Sequence, residues 1–252
     1  MYLKPNISIS STIEVIKNKI KTSTPFCLSR FGDGEISILL QNQNKHIDEK
    51  KICKDWGYQY PNELKLFYQD VIPILTKSLK NSDIIGIMDP NTPMLPPGYY
   101  REDTWSLKKE FINFLGIDSS TLTICDHMIA RSPELGNINN FKNIIQGKDL
   151  HIISSNKKQL EEKKLSKILE CNVTITNHPY DINFNNRDSI LNSFKHIKSN
   201  IVITGTSLNK DYGVILKNNY NKIVIDLGAT LDAWAGEMSR PWFNNKQSYL
   251  VI

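Results

Sequence analysis

The sequence lacks several features that would assign a protein quickly to a class. No apolar run approaches the about 18 residues that a membrane-spanning helix needs. The opening residues, MYLKPNISIS, lack the apolar core of a signal peptide. The cysteines are few, far apart and without a CxxC pair, which predicts buried reduced thiols at Cys27, Cys53, Cys125 and Cys171. Together these absences predict a cytoplasmic protein.

A concentrated basic patch is also missing. The net charge is +5, but the lysines are spread along the chain, so nucleic acid is a poor candidate partner. A small anionic phosphate compound remains a candidate. With 252 residues, of which 40% are apolar and 23% charged, the composition predicts one globular α/β domain over residues 1–252. Peripheral contact with a membrane and the oligomeric state stay open.

Short apolar runs alternate with helical patterns along most of the chain. The runs have the length and β-branched content of buried strands, and they lie at residues 26–29, 84–88, 122–125, 150–154, 173–176, 201–204 and 223–227. Helices are predicted at residues 12–21, 35–41, 62–80, 104–115, 157–170, 188–198 and 208–218. Strand followed by helix, repeated, predicts an α/β fold: a mostly parallel, Rossmann-like sheet with helices on both faces.

A short turn with two carboxylates follows the first predicted strand. The run SRFGDGE places Asp33 and Glu35 one residue apart beside glycines, with Arg30 just upstream. Such carboxylates are the hard ligands that Mg²⁺ prefers, and the ion keeps positions open for a diphosphate. The same residues also suit the first turn of a helix, as a cap and as a partner of the helix dipole. From the residues alone, a metal site and a helix cap are equally open.

Glycine and hydroxyl residues follow two later strands. The run Gly205-Thr206-Ser207 is expected at the N-terminus of a helix, where backbone N–H groups and hydroxyls bind anions. Helix capping alone explains the same residues equally well. After the fourth strand, Ser154 and Asn156 offer a weaker site for a ribose or a uracil edge.

The SRFGDGE run resembles the signature of the GT-D fold glycosyltransferases, bacterial enzymes that transfer a sugar from a nucleotide diphosphate to a growing glycan. Less specific similarities continue in the order of that family at residues 58–61, 129–131, 177–180, 205–207 and 226–228. The resemblance implies that the D-x-E element, Asp33 and Glu35, holds Mn²⁺ or Mg²⁺ and the donor diphosphate. Our donor-side candidates are Arg30, Gly32, Ser154, Asn156, Gly205, Thr206 and Ser207.

The catalytic base and the acceptor side are less well defined. Asp232 follows the last strand and is our first candidate base, followed by Glu237 and then Asp126 or His127. A helix cap is the alternative role for Asp232. A loop with four prolines at residues 90–103 is expected beside the acceptor. The acceptor-side candidates are Tyr99, Tyr100, Arg101, Arg131, Trp234 and Arg240, although core packing is the commoner role of a tryptophan.

The sequence therefore predicts a metal-dependent glycosyltransferase. The expected donor is a nucleotide-diphosphate sugar, with a UDP-sugar first, and the acceptor is a glycan of bacterial surface polysaccharide or glycoprotein synthesis. Two alternatives stay open. A metal-dependent phosphoesterase also uses D-x-E carboxylates, and a non-catalytic nucleotide or glycan binder can share the same fold.

Overall fold

The architecture was obtained from a computed structural model. It describes residues 2–40, 48–55, 57–89, 91, 107–154, 160–177 and 187–236. Within these ranges, no helix is both long enough and apolar enough to cross a membrane.

Seven parallel strands form one open sheet. They are β1 (Phe26–Arg30), β2 (Ile84–Ile87), β3 (Ile124–Asp126), β4 (Leu150–Ser154), β5 (Val173–Asn177), β6 (Ile201–Gly205) and β7 (Ile223–Asp226). Their order across the sheet is β3-β2-β1-β7-β6-β4-β5. All seven predicted strands are confirmed, and so is the parallel α/β fold, because buried β-branched runs form strands that are covered on both faces.

Helices cover both faces of this sheet. In chain order they are α1 (Ile9–Thr22), α2 (Asp33–Leu39), α3 (Glu49–Asp55), α4 (Leu64–Asn81), α5 (Lys109–Phe114), α6 (Pro133–Gly136), α7 (Ile138–Ile145), α8 (Glu162–Leu169), α9 (Arg187–Ser193), α10 (Asp211–Tyr220) and α11 (Thr230–Trp234). Successive residues of β7 show the two layers: Ile223 and Ile225 pack with α1, α7, α8 and α11, while Val224 packs with α9 and α10.

The helix α7 was missed by the sequence analysis. Its apolar residues, Ile138, Phe141, Ile144 and Ile145, recur at helical spacing and are all buried. Asn137 caps the helix by accepting hydrogen bonds from two backbone N–H groups. The helical signal was therefore present in the sequence, although asparagine, a poor helix former, occupies three positions of the helix.

The start of α10 corrects a second prediction. The helix was expected from residue 208, but it begins at Asp211. The preceding residues form turns in which the N–H of Asn209 donates to the carbonyl of Thr206 and the N–H of Tyr212 donates to that of Asn209. The Gly205-Thr206-Ser207 run therefore lies before the first helical turn and not within it.

Candidate functional site

The strands β1 and β7 lie side by side at the centre of the sheet, yet the chain leaves them in opposite directions. After β1 it enters α2, which packs in the core on one face. After β7 it enters α11, which packs on the other face. Such a divergence opens a crevice beyond the carboxyl ends of the two strands, where open α/β sheets bind ligands. The candidate site is built around this crevice.

Arg30 ends β1 and ties the strand ends together. Its side chain is 4% exposed. Its Nε donates to the carbonyl of Asp226 at 2.7 Å, and its Nη1 donates to the carbonyl of His127 at 3.2 Å. Gly86 and Gly228 allow this path, because a Cβ at either position would lie 3.0 Å or less from the Arg30 side chain. Arg30 thus links β7 and the segment after β3 to β1, which is a structural role beside its predicted contact with the donor.

A buried network of charges lies beside Arg30. Lys210 Nζ is 2.8 Å from Asp226 Oδ2 and 3.2 Å from Glu35 Oε1. The backbone N–H of Arg30 also donates to Asp226 Oδ2, at 3.1 Å. The side chains of Lys210 and Asp226 are 7% and 5% exposed, and that of Glu35 is 13% exposed. Two cations and two carboxylates therefore balance at the floor of the crevice.

The network changes the acidity of its members. Burial alone would raise the pKa of Asp226, but Lys210 and Arg30 outweigh it and hold that pKa below its ordinary value. Burial likewise opposes the charge of Lys210, but Asp226 and Glu35 raise its pKa above the ordinary value. Both groups are therefore charged at neutral pH. In the described part of the chain, Asp226 Oδ1 is buried and has no hydrogen-bond partner, so this carboxylate retains one unused acceptor.

The structure separates the two carboxylates of the predicted metal motif. Asp33 is the first residue of α2 and is exposed. Glu35 points into the network, and its Oε2 accepts the N–H of Gly32 at 2.9 Å, while its Oε1 pairs with Lys210. The N-cap of α2 is Gly32, so the cap role considered for Asp33 is wrong, whereas Glu35 lies in the first turn as its dipole role predicts and accepts the Gly32 N–H there.

The glycine of the Gly205-Thr206-Ser207 run has a packing role. A Cβ at residue 205 would lie 2.8 Å from Leu231 Cδ1 and 3.2 Å from the carbonyl of Gly228. Gly205 therefore allows α11 and the end of β7 to approach β6. Thr206 is buried and donates to the carbonyl of Asn209, whereas Ser207 is exposed. Ser154 lies next to Gly205 in the sheet register, so these predicted donor-side residues do come together.

Arg187, which the sequence analysis did not single out, holds the loop between β6 and α10. Its Nη1 donates to Asn209 Oδ1 at 2.7 Å, and its Nη2 donates to both carboxylate oxygens of Asp211, at 2.8 and 2.6 Å. Its guanidinium also lies 5.0 Å from the centre of the Tyr212 ring. The residues on either side of Lys210 are therefore fixed, and with them the base of the lysine side chain.

The helix α11 carries two candidate residues, the half-buried Asp232 and the buried Trp234. Asp232 is half-buried in the first turn, two residues after the start of the helix, so it is not the N-cap, which is Ala229. Trp234 is buried, packs 5.2 Å from the Phe141 ring and donates from Nε1 to the carbonyl of Gly136. The structure therefore corrects the acceptor-side assignment of Trp234, because the ring belongs to the core.

The remaining candidates divide between buried and undescribed positions. Arg131 is 5% exposed and donates to Met128 Sδ, which does not fit a contact with a bulky glycan without movement. Asp126 caps the short helix after β3 by accepting the N–H of Met128, and His127 is buried there. The other candidates lie outside the described residues: Tyr99, Tyr100, Arg101, Asn156, Glu237 and Arg240.

The carboxylates of the site fit a metal ion that is held jointly by the protein and a bound diphosphate. The described residues contain no group of three or more His, Cys, Asp or Glu side chains arranged to hold an ion. Mg²⁺ is commonly held by one or two carboxylates together with substrate phosphates, and it retains several waters. Asp33 is an exposed carboxylate of this kind. The residues present therefore fit an ion shared with a bound diphosphate.

Lys210 and Asp226 are the charged residues that sequence reasoning missed as site residues. Asp226 ends β7 and Lys210 stands in the run TGTSLNKD after β6, so both follow strand ends. The rule that ligands bind beyond the carboxyl ends of strands could have selected them. Their pairing could not be predicted, because it depends on β6 and β7 being neighbours in the sheet.

Comparison with solved structures agrees with this fold. One solved structure, described as the domain of unknown function 1792 with a distinct glycosyltransferase fold, superposes with a TM-score of 0.61 at 17% identity, covering 98% of this chain and 83% of that one. A selenomethionine-substituted structure of the domain of unknown function 1792 gives 0.58 at 15% identity, with the same coverage. At these identities the likeness is one of fold. No curated protein matches the chain.

The fold is thus of a glycosyltransferase type. The chain matches the GT-D fold-like domain over residues 7–234, and it belongs to that family. This confirms the resemblance stated from SRFGDGE. Family and fold together support a glycosyltransferase.

Proposed function

We propose that the protein is a metal-dependent glycosyltransferase that moves a sugar from a UDP-sugar to a glycan acceptor of bacterial surface polysaccharide or glycoprotein synthesis. The observation that carries the proposal is the position of the D-x-E turn. It stands at the carboxyl end of β1, beside β7, where the crevice opens. Membership of the GT-D fold-like family supports the same assignment.

The charges of the crevice suit a diphosphate leaving group. Glycosyl transfer from a nucleotide sugar requires neutralisation of the charge that develops on the departing diphosphate. The D-x-E turn would hold Mn²⁺ or Mg²⁺, with Asp33 as its exposed carboxylate, and the ion would supply Lewis-acid stabilisation of that charge. Arg30 and Lys210 add positive potential below the turn, although Asp226 and Glu35 balance much of it.

The acceptor requires a base and a binding surface. Asp232 lies in the first turn of α11, the helix that follows β7, and we propose it as the base that takes the proton of the acceptor hydroxyl. The proline-rich loop at residues 90–103, with Tyr99 and Tyr100, is proposed for the acceptor side. A tyrosine offers an apolar ring and a polar tip, which suits a sugar.

The proposal is tested by donor turnover without an acceptor. The protein is incubated with UDP-, GDP- and dTDP-sugars in the presence of Mn²⁺, and the released nucleoside diphosphate is measured. Slow hydrolysis of one donor class, abolished by a chelator, is expected. Asp33→Asn should remove it. Asp188→Asn is the matched control, because Asp188 is also an exposed aspartate in the first turn of a short helix.

Other outcomes would favour the alternatives. Binding of a nucleotide without turnover of any donor would indicate a binding protein on this fold. Release of inorganic phosphate from simple phosphate esters would indicate the phosphoesterase. Donor hydrolysis that survives a chelator would refute metal dependence while leaving the transferase class intact.

A further inference from the structure

We infer that Lys210 is a positioning residue that acts as a built-in cation at Glu35, so that a divalent ion binds Asp33 and the donor diphosphate together and binds the nucleotide-free protein only weakly. The inference rests on the proposed function, because it concerns the same crevice. It assigns different roles to the two carboxylates of the D-x-E turn.

The first argument is the position of the ammonium group. Lys210 Nζ lies between Glu35 Oε1, at 3.2 Å, and Asp226 Oδ2, at 2.8 Å. Lys210 and Arg30 together balance the charges of Glu35 and Asp226, whereas removal of Lys210 alone would leave a buried negative charge unpaired. The lysine therefore occupies the place where a second cation at Glu35 would have to bind.

The second argument is the use of both Glu35 oxygens. Oε2 accepts the N–H of Gly32 and Oε1 pairs with Lys210. A divalent ion at Glu35 would lie close to the ammonium, and two like charges in a buried site repel strongly. Asp33, two residues earlier, is exposed. It is the carboxylate of this turn that an ion from solvent can reach.

The third argument is that Lys210 cannot easily turn away. Arg187 binds Asn209 and Asp211 on either side of it. The carbonyl of Lys210 accepts a hydrogen bond from Ser78 Oγ of α4 at 3.2 Å. With its main chain held from two directions, the lysine is a fixed part of the floor.

The first experiment compares two substitutions in the otherwise native protein. The Mn²⁺ affinity is measured by electron paramagnetic resonance with saturating UDP. Asp33→Asn should weaken Mn²⁺ binding by about 10-fold or more, as expected for loss of a charged ligand. Glu35→Gln should change it by less than about 3-fold, because the amide oxygen still accepts the Gly32 N–H. An equal loss from both substitutions would overturn the inference.

The second experiment removes the built-in cation without unbalancing the charge. In the double variant Lys210→Met with Asp226→Asn, the Asn oxygen still accepts the backbone N–H of Arg30. Glu35 Oε1 loses its ion pair with Lys210. Nucleotide-free Mn²⁺ affinity should rise by about 10-fold or more, and adding Glu35→Gln should abolish that gain. An unchanged or weaker affinity would contradict the inference.

The control is a second lysine–aspartate ion pair, whose lysine lies on α10, the helix that begins directly after Lys210. Lys217 Nζ lies 3.1 Å from Asp83 Oδ2, and Asp83 also accepts the N–H of Cys27, at the start of β1. The double variant Lys217→Met with Asp83→Asn therefore removes the same charges from the amino end of the sheet. It should leave Mn²⁺ affinity unchanged. A gain equal to that of the Lys210 variant would make the effect one of general charge and refute the assignment.

Failure of the inference and failure of the proposed function are distinguishable. If the native protein hydrolyses no nucleotide sugar, the proposed function fails, but the nucleotide-free Mn²⁺ titrations still judge the role of Lys210. If donor hydrolysis is metal-dependent and Glu35→Gln is as damaging to Mn²⁺ binding as Asp33→Asn, the function stands and the lysine inference falls. Should the Lys210 double variant not fold, the comparison of Asp33→Asn with Glu35→Gln decides alone.

Discussion

Gly228 is the point at which the backbone of the site can be tested most sharply. It follows β7 with a positive φ of 51°, and a Cβ there would lie 2.2 Å from Arg30 Nη2. Gly228→Ala should therefore act in two ways. It places a side chain on a left-handed backbone, and it pushes the Arg30 guanidinium away from the carbonyls of Asp226 and His127.

The size of the effect follows from these two contributions. A left-handed backbone costs an alanine about 1 to 2 kcal/mol. Loss of one of the two hydrogen bonds from the charged guanidinium costs about 1.5 to 3 kcal/mol more. We expect the free energy of unfolding to fall by about 2.5 to 5 kcal/mol, a large part of the stability of an ordinary domain. UDP binding should weaken in parallel, because Arg30 is displaced at the floor of the crevice.

The assay is equilibrium unfolding in urea, with two comparisons. Gly147 has a φ of 72° and open space around it, so Gly147→Ala measures the backbone contribution alone, about 1 to 2 kcal/mol. In an Arg30→Ala background the clash with the guanidinium is absent. Gly228→Ala should then lower the free energy of unfolding only by the backbone contribution, about 1 to 2 kcal/mol. Equal costs for the alanines at 228 and 147 in the native background would refute the reasoning, and so would a cost at 228 that Arg30→Ala does not reduce.

Three further predictions concern the base, a packing contact and a buried histidine. Asp232→Asn should lower the transfer rate by about 10²- to 10⁴-fold with UDP binding unchanged in steady-state and calorimetric assays; a near-normal rate would move Glu237 to the head of the candidates. Gly205→Val should lower the free energy of unfolding by about 1 to 3 kcal/mol through its clash with Leu231, and Leu231→Ala should restore part of the loss; full stability of the single variant would contradict the packing role. Burial lowers the pKa of His151 to about 4 from an unfolded value near 6.5, so its stabilising effect is complete above pH 6.5 and is lost as the pH falls toward 4. Urea unfolding should show about 2.5 kcal/mol less stability at pH 4.5 than at pH 7.5 from this group alone, and an equal pH dependence in His151→Gln would count against it.

Most of the fold could be predicted from local sequence. Strand β4 was expected at its observed bounds, five others differ by one residue at their C-terminal end, and β3 differs by two residues at its start and one at its end. These runs are apolar and β-branched because both faces of the sheet are buried. The order of the strands could not be predicted, since it depends on packing between segments far apart in the chain, such as β1 beside β7.

Only the part of the site that is local in the sequence could be predicted. The D-x-E turn was recognisable because its residues are consecutive, and the structure places it at the end of β1 as expected. The pairing of Glu35 with Lys210 joins residues from two distant loops, and nothing local to either indicates it. For Trp234, the position after a strand end suggested a contact with the acceptor. The structure instead packs its ring against Phe141 in the core.

The most direct test of the account is a calorimetric titration of UDP into the protein with Mn²⁺ and again with excess chelator. The account predicts that UDP binds with Mn²⁺ and that the chelator weakens binding by about 10-fold or more, as expected when an ion bridges the diphosphate to Asp33. Asp33→Asn should reproduce the weak binding in the presence of Mn²⁺, whereas Asp188→Asn should not. Equal UDP affinity with and without the chelator would contradict the metal-dependent donor site.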